Sequence, residues 1–115
     1  MSSIKIVFMG TPDFAVPSLE SINKNHNLTA CFTQPSRPSG RGQKIIDSPV
    51  KKYCLENKIP VYTPENFKKK ENIKLLENLN PDLLIVAAYG LILAREILNL
   101  PKYGAINIHA SLLPK

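Results

Sequence analysis

Apolar residues in this chain alternate between two kinds of grouping, short unbroken runs and spaced sets at helical intervals. Ile4 to Met9 is apolar and rich in β-branched residues, and Gly10 closes it, which predicts a buried strand. Phe14, Ala15, Leu19 and Ile22 then recur at helical spacing, with Pro17 in the first turns and Thr11 or Asp13 as the expected cap. Asn25-His26-Asn27 interrupts that helix, and Leu28 to Thr33 predicts a second strand. Gln34 to Asp47 carries Pro35, Pro38, Gly40 and Gly42 and reads as a loop. Ser48 followed by Pro49 is a helix start, with Val50, Tyr53, Cys54 and Leu55 as its apolar anchors. Val61-Tyr62 is a short third strand. Within the charged stretch 65–79, Ile73, Leu75, Leu76 and Leu79 mark a helix, which Lys68-Lys69-Lys70 opens with a solvated start. Leu83 to Ala88 is a fourth strand, Ala94 to Leu98 a short helix, and Ala105 to His109 a fifth strand.

Strands alternating with helices predict an α/β domain with a mostly parallel sheet and helices on both faces. The all-apolar strands agree, because a parallel strand is covered on both sides. Ligands of such sheets bind beyond the carboxyl ends of the strands, where strand order reverses. The loops after the first, fourth and fifth strands are therefore the places for function. A dinucleotide site needs G-x-G-x-x-G after the first strand, but Gly10 stands alone and the next glycine is Gly40. That excludes the NAD and FAD reading, and no phosphate-binding P-loop is present either.

A length of 115 residues fits one domain or part of one, and a chain of this size buries roughly 65% of its extended surface. No run of about 18 apolar residues suggests a membrane span, and the N-terminus lacks signal-peptide character, so the cytosol is the default expectation. Cys31 and Cys54 have no metal or redox spacing and are expected to be buried, inert thiols. The net charge of +6 permits an anionic partner without specifying one. Its placement says more. From Ser36 to Lys52, Arg37, Arg41, Lys44, Lys51 and Lys52 oppose only Asp47, a local charge of +4 on a loop long for an α/β connection. Glycines give the loop flexibility and its arginines suit phosphates or base edges; a solvated basic loop fits the same composition.

Chemistry concentrates at the end of the chain. In a strand, Asn107 and His109 share one face and Ile106 and Ile108 the other. An amide N–H can donate to a developing oxyanion, and an imidazole can move protons near neutral pH, a pairing useful for acyl transfer. A buried histidine satisfied by backbone, with the asparagine in a turn, fits the spacing equally well.

The residues that follow bear on this choice. Asn107-Ile108-His109-Ala110-Ser111-Leu112-Leu113-Pro114 resembles the signature of the 10-formyltetrahydrofolate transferases. The resemblance implies a Rossmann-like formyltransferase fold, catalytic roles for Asn107 and His109, and a folate site at Ser111, Leu112, Leu113 and Pro114. Ala88-Tyr89-Gly90-Leu91-Ile92-Leu93 is similar to the family segment that cradles the pterin ring, which assigns Tyr89, Gly90, Leu91 and Leu93 to the co-substrate; plain core packing is the alternative for Leu91 and Leu93. Gly10-Thr11-Pro12-Asp13-Phe14-Ala15 and Thr33-Gln34-Pro35-Ser36-Arg37-Pro38-Ser39-Gly40-Arg41-Gly42 are typical of the family's branch that formylates methionyl-tRNA. That branch implies 10-formyltetrahydrofolate as donor, initiator methionyl-tRNA as partner, Arg37, Arg41 and Lys44 as RNA contacts, and neither metal, DNA nor membrane. An amino sugar or purine precursor as acceptor is the alternative within the family.

Family members also carry a third catalytic residue, an Asp beyond the Ser-Leu-Leu-Pro turn, for which Asp13, Asp47 and Asp82 are wrongly placed. The resemblance thus implies that residues 1–115 are the N-terminal part of a catalytic domain. The remaining strands and a C-terminal tRNA-binding domain lie outside it. The complete enzyme is expected to be a monomer, and the 115 residues alone inactive. A non-enzymatic remnant is the other expectation.

Overall fold

The computed structural model describes residues 4–39, 42 and 44–108. Five parallel strands form the main sheet: β1 (Lys5–Gly10), β2 (Asn27–Phe32), β5 (Val61–Tyr62), β6 (Leu83–Ala87) and β7 (Ala105–Asn107). Their spatial order is β5-β2-β1-β6-β7. The chain thus moves outward from β1 through β2 to β5, then crosses back to pair β6 with the other side of β1. Strand order reverses between β1 and β6, which is where a doubly wound sheet opens a crevice.

Alternation along β1 sends its side chains into two cores. Ile6 and Phe8 join Cys31, Ile85 and Ala87 beneath α1 (Val16–Asn25) and α2 (Pro49–Glu56), which contribute Leu19, Ile22, Val50 and Cys54. Val7 and Met9 join Phe32, Leu84, Phe67 and Tyr89 on the opposite face. There α3 (Lys70–Asn78) and α4 (Arg95–Leu98) supply Leu76 and Ile97. Helices therefore cover both faces, as the unbroken apolar strands predict.

Local chemistry fixes several boundaries. Ser48 Oγ accepts from the Lys51 amide at 3.0 Å, and Pro49 occupies the first helical position of α2. At its far end Lys58 adopts φ 59°, and the Ile59 amide donates to the Cys54 carbonyl at 2.9 Å, a left-handed closure that satisfies an orphan carbonyl. Leu55 is exposed, not the anchor its spacing suggested, while Val50 and Cys54 are buried. The helix expected over 65–79 starts only at Lys70, because the lead-in is held otherwise. Asn66 Oδ1 accepts from the Lys68 amide, and Asn72 Nδ2 donates to the Asn66 carbonyl. Lys68, Lys69 and Lys70 are exposed at that start.

Two expectations need correction. The stretch 34–47 is not wholly loop: β3 (Arg37–Ser39) and β4 (Lys44–Ile46) pair antiparallel as a separate hairpin. Pro38 is tolerated because the hairpin has two strands only, so each has a free edge. The first helix is also not capped by Thr11 or Asp13. A 3₁₀ turn at Asp13–Ala15 leads into α1, neither segment has a side-chain cap, and the Thr11 hydroxyl is engaged elsewhere. Cys31 and Cys54 are free and buried, as expected, and belong to the same core cluster. The neighbouring Cys54 first, and then burial, push the Cys31 thiol far up, so it stays protonated.

Candidate active site at the carboxyl edge of the sheet

The carboxyl ends of β1, β6 and β7 meet where the strand order reverses. Gly10 ends β1 against β6 so closely that a β-carbon there would lie 2.8 Å from the Ala87 carbonyl oxygen and 2.7 Å from Phe8 Cε2. Only glycine fits that approach without movement of backbone. Strand β6 stops one residue earlier than its apolar run suggests, because Ala88 turns left-handed at φ 54°. Gly90 follows at φ 89°. The chain from Ala88 to Leu91 thereby turns at the strand ends and borders an open pocket of about 350 Å³. Phe14, Val86, Ala88, Tyr89, Gly90, Leu91, Asn107 and Ile108 line it.

Asn107 arrives from the adjacent strand. It pairs with Val86 in the β6–β7 register, so it shares the face of Val7 and Met9. The Ile108 amide donates to the Val86 carbonyl at 2.7 Å, and its side chain packs on the opposite core. The predicted alternation of Asn107 against Ile106 and Ile108 is therefore observed. Asn107 is exposed, and it also lines a second cavity of about 360 Å³ with Val86, Leu91, Leu93, Leu98, Asn99 and Ala105. His109, Ser111, Leu112, Leu113 and Pro114 lie outside the described residues, as does Arg41.

Of the segment assigned to a co-substrate, Tyr89 is buried and Gly90 and Leu91 line the pocket beside it. Leu91 and Leu93 are partly buried against the second core, so they pack and line cavities at once. Tyr89 packs its ring 6.4 Å from that of Phe67, and its hydroxyl has no hydrogen-bond partner among the described residues. Burial raises its pKa well above the ordinary tyrosine range.

A polar thread stiffens this edge, and spacing alone did not reveal it. The Thr11 hydroxyl donates to the Tyr89 carbonyl at 2.7 Å, and Gln34 Nε2 donates to the same oxygen at 3.1 Å. Thr33, fully buried, donates its hydroxyl to Thr11 Oγ1 at 3.4 Å and lies 2.7 Å from Ser48 Oγ. With Thr33 donating to Thr11, Ser48 must donate to Thr33, while Ser48 itself accepts from the Lys51 amide. The hydroxyls thus run in one direction from the start of α2 to the Tyr89 carbonyl, an arrangement in which each bond polarises the next. Thr11, Thr33 and Gln34 did belong to the segments whose resemblance was noted, and that was the available signal.

The basic hairpin leaves the sheet edge beside this thread. Arg37 on β3 and Lys44 on β4 are exposed, and Arg37 Nη2 donates to Gln34 Oε1 at 3.2 Å. At the hairpin's base the Ser36 hydroxyl donates to the Asp47 carboxylate, and Lys51 Nζ pairs with it at 3.3 Å. Those partners, Ser36 first and then Lys51, hold the Asp47 carboxyl below its ordinary range. Lys51 is thus committed internally, while Arg37 and Lys44 stand exposed on the hairpin. Among the described residues no group of three or more His, Cys, Asp or Glu side chains is placed to hold a metal ion. None of their helices is long and apolar enough to cross a membrane.

A pocket lined by Phe14, the Ala88–Leu91 turn and Asn107 thus opens where the strand order of the parallel sheet reverses. The formyl transferase family model matches residues 4–115, and the chain belongs to that family. It is 58% identical over 113 residues to the methionyl-tRNA formyltransferase of Clostridium perfringens, covering 97% of this chain and 37% of that protein. It is 51% identical over 112 residues to the methionyl-tRNA formyltransferase of Fusobacterium nucleatum (97% and 36%) and 50% identical over 116 residues to that of Legionella pneumophila (100% and 37%). The chain therefore spans a little over a third of the length of these relatives. The phosphoribosylglycinamide formyltransferase of Streptococcus pneumoniae shares the fold, with TM-score 0.63 and 16% identity over 92% of this chain and 56% of that one.

Proposed function

We propose that residues 1–115 are the N-terminal part of the catalytic domain of an enzyme that formylates the α-amino group of methionyl-initiator tRNA, with 10-formyltetrahydrofolate as donor. The observation that carries this reading is the convergence of Asn107, Phe14 and the Ala88–Leu91 turn on one pocket at the strand-order reversal. A turn with left-handed residues at Ala88 and Gly90 beside the apolar Phe14, Val86 and Leu91 suits a flat heterocycle with donors and acceptors on its rim. The donor supplies the formyl carbon that the amine attacks. Asn107, which lines the pocket, donates its amide N–H to the oxyanion that develops there. His109, two residues on, stabilises the same charge and carries the proton released by the amine to the donor nitrogen, so that the formyl C–N bond of the donor breaks and tetrahydrofolate leaves. Ser111, Leu112, Leu113 and Pro114 complete the folate side, and Arg37, Arg41 and Lys44 form the face that meets the RNA. Ser111 acts as a turn residue, not a nucleophile. The complete enzyme works as a cytosolic monomer, and the 115 residues alone do not turn over.

Formylation of methionyl-tRNA by the full-length protein tests this. Asn107→Ala should lower kcat by about 10²–10³ and His109→Ala by about 10²–10⁴, with donor affinity nearly unchanged. Both groups act in one transition state, so the double substitution should lose less than the product of the two. Near-normal kcat in either folded single variant would remove that residue from the mechanism. Turnover by 1–115 comparable to the full-length protein would overturn the partial-domain reading. Preferential formylation of a small amine would move the acceptor to another branch of the family.

A further inference from the structure

Gln34 sits between the two functional regions and touches both. Its Nε2 donates to the Tyr89 carbonyl at 3.1 Å, and its Oε1 accepts from Arg37 Nη2 at 3.2 Å. The orientation of the amide is forced, since a carbonyl only accepts and a guanidinium only donates. Its backbone amide adds a third tie, donating to Thr11 Oγ1 at 3.3 Å. A fourth observation is steric. A β-carbon on Gly90 would lie 1.9 Å from Gln34 Nε2, so the amide rests directly over the left-handed glycine that shapes the pocket wall. Gln34 and Tyr89 are 55 residues apart, and no shorter path links the hairpin to this turn through the hydrogen bonds of the described residues.

We propose that Gln34 is a positioning residue whose side-chain amide latches the Ala88–Leu91 turn to the base of the β3–β4 hairpin, so that the basic hairpin and the pocket wall shift together. Displacement of Arg37 pulls on Gln34 Oε1, and the planar amide passes that pull to the Tyr89 carbonyl and to the space above Gly90. The functional consequence rests on the reading given above: engagement of RNA by the hairpin would set the shape of the donor slot. Gln34 itself touches no reacting group.

The test separates the latch from the chemistry. Gln34→Glu is isosteric and keeps an acceptor for Arg37, but its carboxylate cannot donate to the Tyr89 carbonyl. In amide spectra of the chain, this variant should move the Gly90 resonance and speed its solvent exchange by about two- to tenfold, the loss of one hydrogen bond. Arg37→Leu should also move Gly90 in the otherwise unchanged chain, but not in a Gln34→Asn background, where the amide is one methylene too short to bridge. In the full-length protein Gln34→Glu should raise the donor KM by a similar factor while kcat holds within about twofold. A Gly90 resonance unmoved by Gln34→Glu overturns the latch. So does an Arg37→Leu shift that persists with Gln34→Asn. Should the glutamate variant fail to fold, Gln34→Asn alone carries the comparison with the unsubstituted chain. Absence of formyl transfer in the unsubstituted full-length protein overturns the proposed function instead, and the resonances still decide the latch.

Discussion

Gly90→Ala is expected to destabilise the chain by about 2–4 kcal/mol, from two separable sources. Gly90 holds φ 89°, where an L-residue is strained by roughly 1–2 kcal/mol. The new methyl would also occupy the position of Gln34 Nε2, at 1.9 Å. That nitrogen ends a flexible side chain and can swing away, but doing so breaks its bonds to the Tyr89 carbonyl and Arg37. One is part-buried and the other exposed, so each is worth about 0.5–1 kcal/mol net. Gly104 supplies an internal control. It has φ 78° but open space where its β-carbon would stand, so Gly104→Ala should show the strain alone. Urea unfolding of the three proteins, monitored by circular dichroism, gives the comparison. Gly90→Ala should cost about 1–2 kcal/mol more than Gly104→Ala, and that excess should vanish when both are made with Gln34→Ala. Equal costs for the two alanines would refute the packing of Gln34 over Gly90. A cost below about 0.5 kcal/mol for Gly90→Ala would refute the strain as well.

Tyr89→Phe should leave stability unchanged or raise it by up to about 1–2 kcal/mol, because it removes a buried hydroxyl without a partner among the described residues; a loss of more than about 1 kcal/mol in thermal unfolding would mean the hydroxyl is bonded. Asp47 should add a pH dependence of definite sign. Its carboxyl is held below the ordinary value by Ser36 and Lys51, so its contribution is complete above the unfolded pKa of about 4 and fades as pH falls through the lower folded value. The stability gap between the unsubstituted chain and Asp47→Asn should therefore narrow on acidification from about pH 5 to pH 3, and a constant gap would count against the Ser36–Asp47–Lys51 cluster.

What the sequence made legible divides along the range of the interactions involved. The start of α2 could be read because Ser48 and its target, the Lys51 amide, are three residues apart. The parallel sheet could be read because its strands carry apolar residues on both faces, a demand written into each run separately. The placement of Asn107 followed from strand alternation, a period of two that needs no knowledge of partners. The hairpin was missed because Pro35, Pro38 and the glycines signal turn so strongly that two three-residue strands beside them have no periodicity to show. Thr11 was misread for a different reason. A threonine before a helix is a cap by local rules, but its hydroxyl found the Tyr89 carbonyl 78 residues away. That competition is decided by tertiary contact, and no window of sequence contains both partners.

The same division explains how this chain and the Streptococcus pneumoniae enzyme share a fold at 16% identity. The sheet requires only apolar runs, a tight β1–β6 approach and helices on each side, all of which many sequences satisfy. The pocket's wall asks for more. Its shape depends on left-handed backbone at Ala88 and Gly90, and alanine occupies that region only at a cost of roughly 1–2 kcal/mol. Two donors on one carbonyl, from Thr11 and Gln34, offset that cost and hold the turn in place. The first donor comes from the loop after β1 and the second from the loop after β2, so the turn after β6 is shaped by the loops of two other strands as well as by its own Gly90. A substitution at Thr11 or Gln34 would therefore alter the pocket while leaving strand order and core untouched, and sites can diverge in this way on a frame that does not change.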